Sequence, residues 1–298
     1  MVKPYAGIHT VLYALFAANE KLDRDAMRRQ VELCKQAGVD GITVLGLATE
    51  VSKLSFEERC NVILWAAEDV AQVLPFSVTI AGNSVAEQVA LIQVAEQAGA
   101  DWLILQPPLS GSYPSAVYLD FFYRVAASTR RPVAIQNAPA YLGRGLTYAE
   151  LLSLHAASPN ICILKAECIA AEMSELVKHA ANRMTVLNGR GGLELPAVLT
   201  AGADGFIIAP DMVDYAVKAY AHWKAGRFNE AEAVYREALP AIGFVMRSIE
   251  HLITYGKRLF GQRAGIAIFD RAPCLPCDVA EFRSMVDLAI SAGKFGRR

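Results

Sequence analysis

The sequence Ala37-Gly38-Val39-Asp40 joins the end of an amphipathic segment to a short apolar run at residues 41–45. The same Ala-Gly-(Val/Ala)-Asp phrase recurs at residues 98–101 and 201–204, each time immediately before another apolar run. A glycine at this point suits the left-handed turn that closes many helices, and the run after it favours a strand. The phrase therefore predicts a chain built from repeated helix-to-strand units.

Eight strand-length apolar runs occupy the chain up to about residue 225, and amphipathic segments separate them. The predicted strands are residues 9–14, 41–45, 76–81, 101–106, 132–137, 161–167, 184–188 and 205–209. The predicted helices between them include residues 23–37, 55–73, 84–98, 114–128, 147–156 and 170–182. This α/β alternation favours a closed (β/α)8 TIM barrel, with a doubly wound open sheet as the alternative.

Three helix starts carry the spacing of a capping box, with Ser55, Ser84 and Thr147 each followed three residues later by a glutamate. After residue 225 the strand pattern stops, and helices are predicted at residues 228–239, 242–260 and 279–292. We therefore expect residues 1–225 to form the barrel and residues 226–298 to form a helical extension packed on it, without a second function.

Composition narrows the possible partners of this 298-residue chain. A net charge of −1 and an isoelectric point near 6.5 argue against nucleic acid. Hydrophobic residues make up 54% of the chain, but no apolar stretch reaches 18 residues, so no membrane association is expected. Polar residues interrupt the apolar segment 7–18, so export is not expected either.

The six cysteines are scattered as in reduced proteins, and we expect a cytoplasmic location. Cys274 and Cys277 form one isolated C-x-x-C pair, which is weak evidence for zinc or redox chemistry. The five histidines have no metal-ligand spacing, so no metal site is predicted.

The stretch Asn160-Ile161-Cys162-Ile163-Leu164-Lys165-Ala166-Glu167 places an amine and an acid at the end of the sixth predicted strand. Side chains alternate faces along a strand, so Lys165 and Glu167 are expected side by side. A lysine after an apolar run often only marks where a strand meets water. At the C-terminal end of a barrel strand, however, a lysine lies where (β/α)8 barrel enzymes have their active sites.

Several pieces of the sequence resemble, in their order along the chain, the pyruvate-type class I aldolases and dehydratases, which include dihydrodipicolinate synthase and N-acetylneuraminate lyase. The pieces are Gly46-x-x-x-Glu50 with Lys53-Leu54-Ser55-x-x-Glu58-Arg59 behind it, Asn137-x-Pro139, Lys165, and Ala201-Gly202-Ala203-Asp204-Gly205. The resemblance implies a Schiff base between Lys165 and the ketone of a 2-oxo acid substrate, with no other cofactor. It also implies a homo-oligomer, with a tetramer expected.

The resemblance places the substrate carboxylate in the loop after the second strand. Leu47 and Ala48 stand where the family usually has two hydroxyl residues, so the expected donors are backbone N–H groups around Ala48 and Thr49 and the Thr49 hydroxyl. Glu50 is expected to hold backbone N–H groups of its own loop.

Further substrate-binding residues are expected at the ends of the fifth and seventh strands. Gln136 and Asn137 are candidate donors to substrate hydroxyls, and the alternative is that they only tie loops together at the barrel rim. Asn188 and Gly189 are expected in the wall of the pocket.

Three departures from the family pattern bear on the reaction. Gln136 replaces the catalytic tyrosine, Pro108-Leu109 replaces a tyrosine pair, and Tyr141 replaces the arginine of dihydrodipicolinate synthase. These departures disfavour dihydrodipicolinate synthase activity. The L-2-keto-3-deoxyarabonate dehydratase branch is closer, because it similarly carries Q-(D/N)-A-P and K-x-E motifs.

The expected reaction is dehydration of a 2-keto-3-deoxy sugar acid. Once an iminium forms at C2, Glu167 can remove a C3 proton and, as an acid, assist loss of the C4 hydroxyl. Aldol cleavage needs a base on the C4 hydroxyl, which the tyrosine normally provides. The alternatives are an aldolase that cleaves to or condenses pyruvate, and a catalytically silent relative that binds a 2-oxo acid.

Overall fold

The structure is a computed structural model, and it describes residues 5–180 and 183–296. Within these residues the eight predicted strands form one closed parallel barrel, in sequence order. They are β1 (Gly7–Val11), β2 (Gly41–Val44), β3 (Phe76–Ile80), β4 (Trp102–Leu105), β5 (Val133–Asn137), β6 (Ile161–Ala166), β7 (Thr185–Asn188) and β8 (Gly205–Ile208). The (β/α)8 barrel is confirmed, and the open sheet is excluded.

The barrel closes where β8 pairs in parallel with β1, so that Gly7 lies opposite Gly205 and His9 opposite Ile207. A Cβ atom on Gly205 would lie 1.9 Å from the Gly7 carbonyl oxygen. Only glycine therefore allows the two backbones to meet at this seam.

The helices surround the strands as the periodicity predicts. They are α1 (Arg24–Ala37), α2 (Phe56–Val70), α3 (Val85–Gln97), α4 (Ser115–Ala126), α5 (Pro139–Leu142), α6 (Tyr148–Ala157), α7 (Ala170–Ala180), α8 (Leu195–Thr200), α9 (Val213–Lys224), α10 (Phe228–Val245), α11 (Ile249–His251), α12 (Lys257–Ala264) and α13 (Val279–Ala292). Short 3-10 helices occupy Leu47–Thr49, Val51–Lys53 and Pro210–Met212. The last two residues of the predicted helix 170–182 lie outside the described residues.

The predicted helix ends are largely correct. Complete capping boxes begin α2 at Ser55 and α6 at Thr147. At Ser84 only half of the box forms, because the carboxylate of Glu87 accepts from the N–H of Asn83 instead of that of Ser84. The three predicted cap glycines, at positions 38, 99 and 202, all have positive φ angles.

The C-terminal extension differs from the predicted pattern. The predicted boundary near residue 225 falls between α9 and α10. The predicted helices 228–239 and 242–260 have the wrong boundaries, because α10 runs through Pro240 to Val245. The helix ends there, residues 246–248 connect it to α11, and the Ser248 side chain caps the start of α11. A π-helical turn, Leu252–Gly256, then leads into α12. Proline did not end α10 because buried side chains on both sides of it hold the helix against its neighbours.

Among the described residues, no helix is long and apolar enough to cross a membrane. Nor do these residues contain a group of three or more His, Cys, Asp or Glu side chains able to hold a metal ion.

Candidate active site

Lys165 and Glu167 meet inside the barrel at the C-terminal end of β6. Lys165 is 3% exposed and Glu167 is 5% exposed. The Lys165 Nζ lies 3.1 Å from the Glu167 Oε1. The alternation of side chains along the strand therefore correctly predicted their contact, and the lysine does not mark a strand end in water.

A cavity of about 30 Å³ is lined by the side chains of this pair. Four of the predicted site residues line it, namely Ala48, Lys165, Glu167 and Gly189. The remaining walls are mostly apolar and come from the barrel strands, their loops and the C-terminal extension: Val11, Leu47, Gly191, Ile207, Ile208, Ala209, Met246, Ile249 and Leu252. The extension thus covers the barrel mouth, which the sequence pattern did not indicate.

Gly189 follows β7 and contacts the side chains of both ionisable residues. A Cβ atom at this position would lie 2.7 Å from Glu167 Cγ and 2.9 Å from Lys165 Cε. Its backbone needs no left-handed conformation, so the close approach of the two side chains is the reason for glycine here.

Gln136 does not line the cavity but contacts Glu167 from β5. Its Nε2 donates to the Glu167 Oε1 over 2.5 Å, and its Oε1 accepts from Gln106 Nε2 over 2.9 Å. The glutamine that replaces the family tyrosine therefore binds the proposed catalytic acid. Gln106 lies just after β4, and no local sequence pattern indicates its contact with Gln136.

The amides of Asn137 and Asn188 bind the main chain. Asn137 donates to the carbonyl of Leu146 and accepts from its N–H, over 3.0 and 2.8 Å. Asn188 donates to the carbonyl of Cys168 and accepts from the N–H of Arg190, both over 2.9 Å. These contacts favour a role in shaping loops over the predicted contact with substrate.

Thr49 and Glu50 also differ from their predicted roles. The Thr49 hydroxyl is completely buried and donates to the carbonyl of Leu12 over 2.6 Å, so it is not available to a substrate carboxylate. Glu50 binds two lysines instead of backbone N–H groups: Lys53, over 2.5 Å, and Lys257 of α12. Sequence reasoning missed Lys257 because it lies 207 positions away.

Lys257 is completely buried. Burial lowers the pKa of its amine, and the charge of Glu50 acts in the opposite direction. Because Glu50 directly follows the turn that carries Ala48, the ion pair ties the extension to that turn.

A larger cleft of about 730 Å³ adjoins the small cavity, and the two share Leu47 and Ile249. Its polar lining includes Lys53, Tyr141 and Arg247. This cleft therefore lies beside the cavity that Lys165 lines.

Residues 4–285 match the model of the Dihydrodipicolinate synthetase family. The chain belongs to this family. Members of the family are lyases, and this chain is a lyase of that family.

Relatives within the family carry different activities in their names. "Putative 2-dehydro-3-deoxy-D-gluconate aldolase YagE" of Escherichia coli (strain K12) is 32% identical over 69% of each chain. L-2-keto-3-deoxyarabonate dehydratase of Azospirillum brasilense is 28% identical over 80% of this chain and 79% of its own. A 4-hydroxy-tetrahydrodipicolinate synthase of Chlorobaculum parvum is 27% identical over 78% and 79%.

The crystal structure of YagE in complex with pyruvate has the same fold. It superposes with a TM-score of 0.89 at 25% identity and covers 97% of this chain and 99% of its own. The family and the fold therefore agree with each other, while the relatives differ in the reactions for which they are named.

Proposed function

We propose that this lyase forms a Schiff base between Lys165 and a 2-oxo acid, and that it dehydrates a 2-keto-3-deoxy sugar acid. The observation that supports this most directly is the contact of Lys165 Nζ with Glu167 Oε1, 3.1 Å apart and almost completely buried at the barrel mouth. An amine beside a carboxylate in a largely buried site can pass its proton to that carboxylate and attack a ketone.

The steps balance with these two residues alone. The amine of Lys165 adds to C2, Glu167 passes the proton it took from the amine to the C2 oxygen, that oxygen leaves as water, and an iminium forms. Glu167 then takes a C3 proton, and the electron pair of the broken C–H bond becomes the C2–C3 double bond of an enamine. Next the C4–O bond breaks, Glu167 returns its proton to the departing hydroxyl, and hydrolysis frees Lys165. No other cofactor is required.

The substrate carboxylate is proposed to bind at the turn that carries Ala48. Leu47 and Ala48 begin a short 3-10 helix, and N–H groups at the beginning of a helix have no carbonyl partner within it. Ala48 lines the cavity beside Lys165, which supports this position. The Thr49 hydroxyl is not part of this subsite, because it donates to the Leu12 carbonyl.

Dehydration is favoured over aldol cleavage by the ionisable groups of the cavity. Of the residues that line it in the described ranges, only Lys165 and Glu167 carry an ionisable side chain. Gln136 cannot accept a proton from a C4 hydroxyl as a tyrosinate can. The similarity to YagE keeps an aldolase as the second candidate.

Borohydride reduction in the presence of pyruvate tests the Schiff base. We expect a stable adduct, mapped to Lys165 by mass spectrometry and absent from Lys165→Arg. If no adduct forms, the chain is a silent relative or its chemistry lies elsewhere.

Incubation with 2-keto-3-deoxy pentonates and hexonates then separates the two enzyme reactions. A dehydratase gives a dehydrated product without pyruvate, whereas an aldolase releases pyruvate and an aldehyde.

The homo-tetramer and the cytoplasmic location remain predictions. Light scattering after size-exclusion chromatography tests the first, with a mass four times that of the chain expected.

A further inference from the structure

Two buried glutamines connect the barrel core to the proposed catalytic acid. Gln106 is completely buried and Gln136 is 2% exposed. Gln106 Nε2 donates to Gln136 Oε1, and Gln136 Nε2 donates to Glu167 Oε1. An ionised carboxylate only accepts hydrogen bonds, so the N–H2 side of Gln136 is the side that suits Glu167 as a base.

The same amide arrangement does not suit Glu167 after it has taken a proton. A protonated carboxyl group becomes a donor, and its best partner is then a carbonyl oxygen. Gln136 can present that oxygen by turning its amide over, but its N–H2 group then faces Gln106 and needs an acceptor there.

Gln106 can provide this acceptor with its side-chain oxygen. Its Oε1 is buried and has no hydrogen-bond partner among the described residues. If both amides turn over, Gln106 Oε1 accepts from Gln136 Nε2, and Gln136 Oε1 accepts from the protonated Glu167. The pair therefore has two self-consistent arrangements, one for each protonation state of the acid.

The main chain of Gln106 is held in place while its side chain turns. Gln88 Nε2 donates to the Gln106 carbonyl oxygen over 3.0 Å and to that of Gly82 over 3.1 Å. Rotation is thus confined to the two terminal amides, for which both orientations fill nearly the same space.

We propose that Gln106 is a positioning residue that sets, through Gln136, whether an N–H donor or a carbonyl oxygen faces Glu167. This inference rests on the proposed function, because it concerns how one acid serves first as base and then as acid. No proton passes through the amides: the C3 proton moves to Glu167 and later to the departing hydroxyl. The two amides only change whether a donor or an acceptor faces Glu167. The tyrosine that Gln136 replaces would instead exchange a proton.

The test measures exchange of the pyruvate methyl protons with solvent deuterium by NMR, between pH 5 and 10. Lys165 is the charged group in contact with Glu167, and Gln136 and Gly189 also contact its side chain. In Gln106→Met, either orientation of Gln136 leaves one of its polar atoms unpaired, but only the arrangement with ionised Glu167 loses the polarisation that Gln106 gives to a charge-assisted hydrogen bond. We therefore expect the midpoint of the acid limb to move to higher pH by about half a unit.

The matched control is Gln30→Met. Gln30 is equally buried, and its amide binds the N–H and the carbonyl of Tyr13 instead of Gln106 or Gln136. Its melting temperature can fall, but its acid limb is expected to stay in place. Should Gln106→Met fail to fold, Gln106→Asn replaces it, because the amide is then one methylene too short to reach Gln136; the same shift is expected.

An acid limb that moves by less than 0.3 pH unit in the Gln106 variant, or that moves equally in the control, overturns the inference. In both variants borohydride trapping of pyruvate at high pH should stay within about twofold of wild type, since Lys165 is unchanged. If the wild-type enzyme traps no pyruvate, the proposed function itself is wrong, and the inference is withdrawn with it.

Discussion

Gly189→Ala tests the placement of the proposed catalytic pair. The added Cβ would lie 2.7 Å from Glu167 Cγ and 2.9 Å from Lys165 Cε, whereas carbon atoms in contact are normally about 3.5 Å apart or more. The two side chains must therefore retreat by about 0.6 to 0.8 Å. Because a misplacement of about 1 Å can cost about 100-fold in rate, we expect deuterium exchange into pyruvate to slow by about 10- to 100-fold.

The assay follows the loss of the pyruvate methyl signal at saturating pyruvate, with thermal unfolding recorded in parallel. Gly243→Ala is the matched control, because this glycine lies on the exposed surface of α10 with no atom within 4 Å of the added Cβ. It should keep wild-type exchange and gain slightly in stability. If Gly189→Ala folds normally and exchanges within twofold of wild type, the pair does not act from the observed positions.

Three further predictions concern residues around the site. Thr49→Val removes a hydroxyl that binds the main chain, so unfolding in urea should show a loss of about 1 kcal/mol, while half-maximal trapping should need the same pyruvate concentration within about twofold. Lys257→Met leaves the buried Glu50 carboxylate with one lysine, and a loss of about 3 kcal/mol is expected, part of which the added change Glu50→Gln should restore. Burial raises the pKa of Asp211 from 3.8 to about 7, so the folded protein holds a proton that the unfolded chain releases, and stability falls as pH rises through that interval. Asp211→Asn should lose about 3 kcal/mol less than wild type between pH 5 and 8, and equal losses in the two proteins would contradict this assignment.

Local sequence patterns were sufficient for the barrel and for its central pair. Strand and helix periodicities depend on neighbours along the chain, and eight alternating units leave few ways to bury their apolar faces. Lys165 and Glu167 are two positions apart on one strand, so their contact follows from strand geometry alone. The cap glycines were predictable for the same reason.

Contacts between distant parts of the chain were decided by the tertiary structure. Gln106, Gln136 and Glu167 are connected because adjacent parallel strands place their ends side by side, and the register that pairs Gln136 with Lys165 is not visible in any local pattern. An asparagine or threonine at a strand end looks the same in the sequence whether its side chain binds substrate or main chain. Only the hydrogen bonds of the folded protein distinguish the two roles.

The contacts of the C-terminal extension show most clearly what a local sequence pattern does not predict. Its amphipathic pattern predicted packing on the barrel, but not that Ile249 and Leu252 would cover the cavity or that Lys257 would reach Glu50. Periodicity tells which face of a helix is buried. What that face is buried against depends on long-range packing, and this packing determines which buried charges find partners and which side chains surround Lys165.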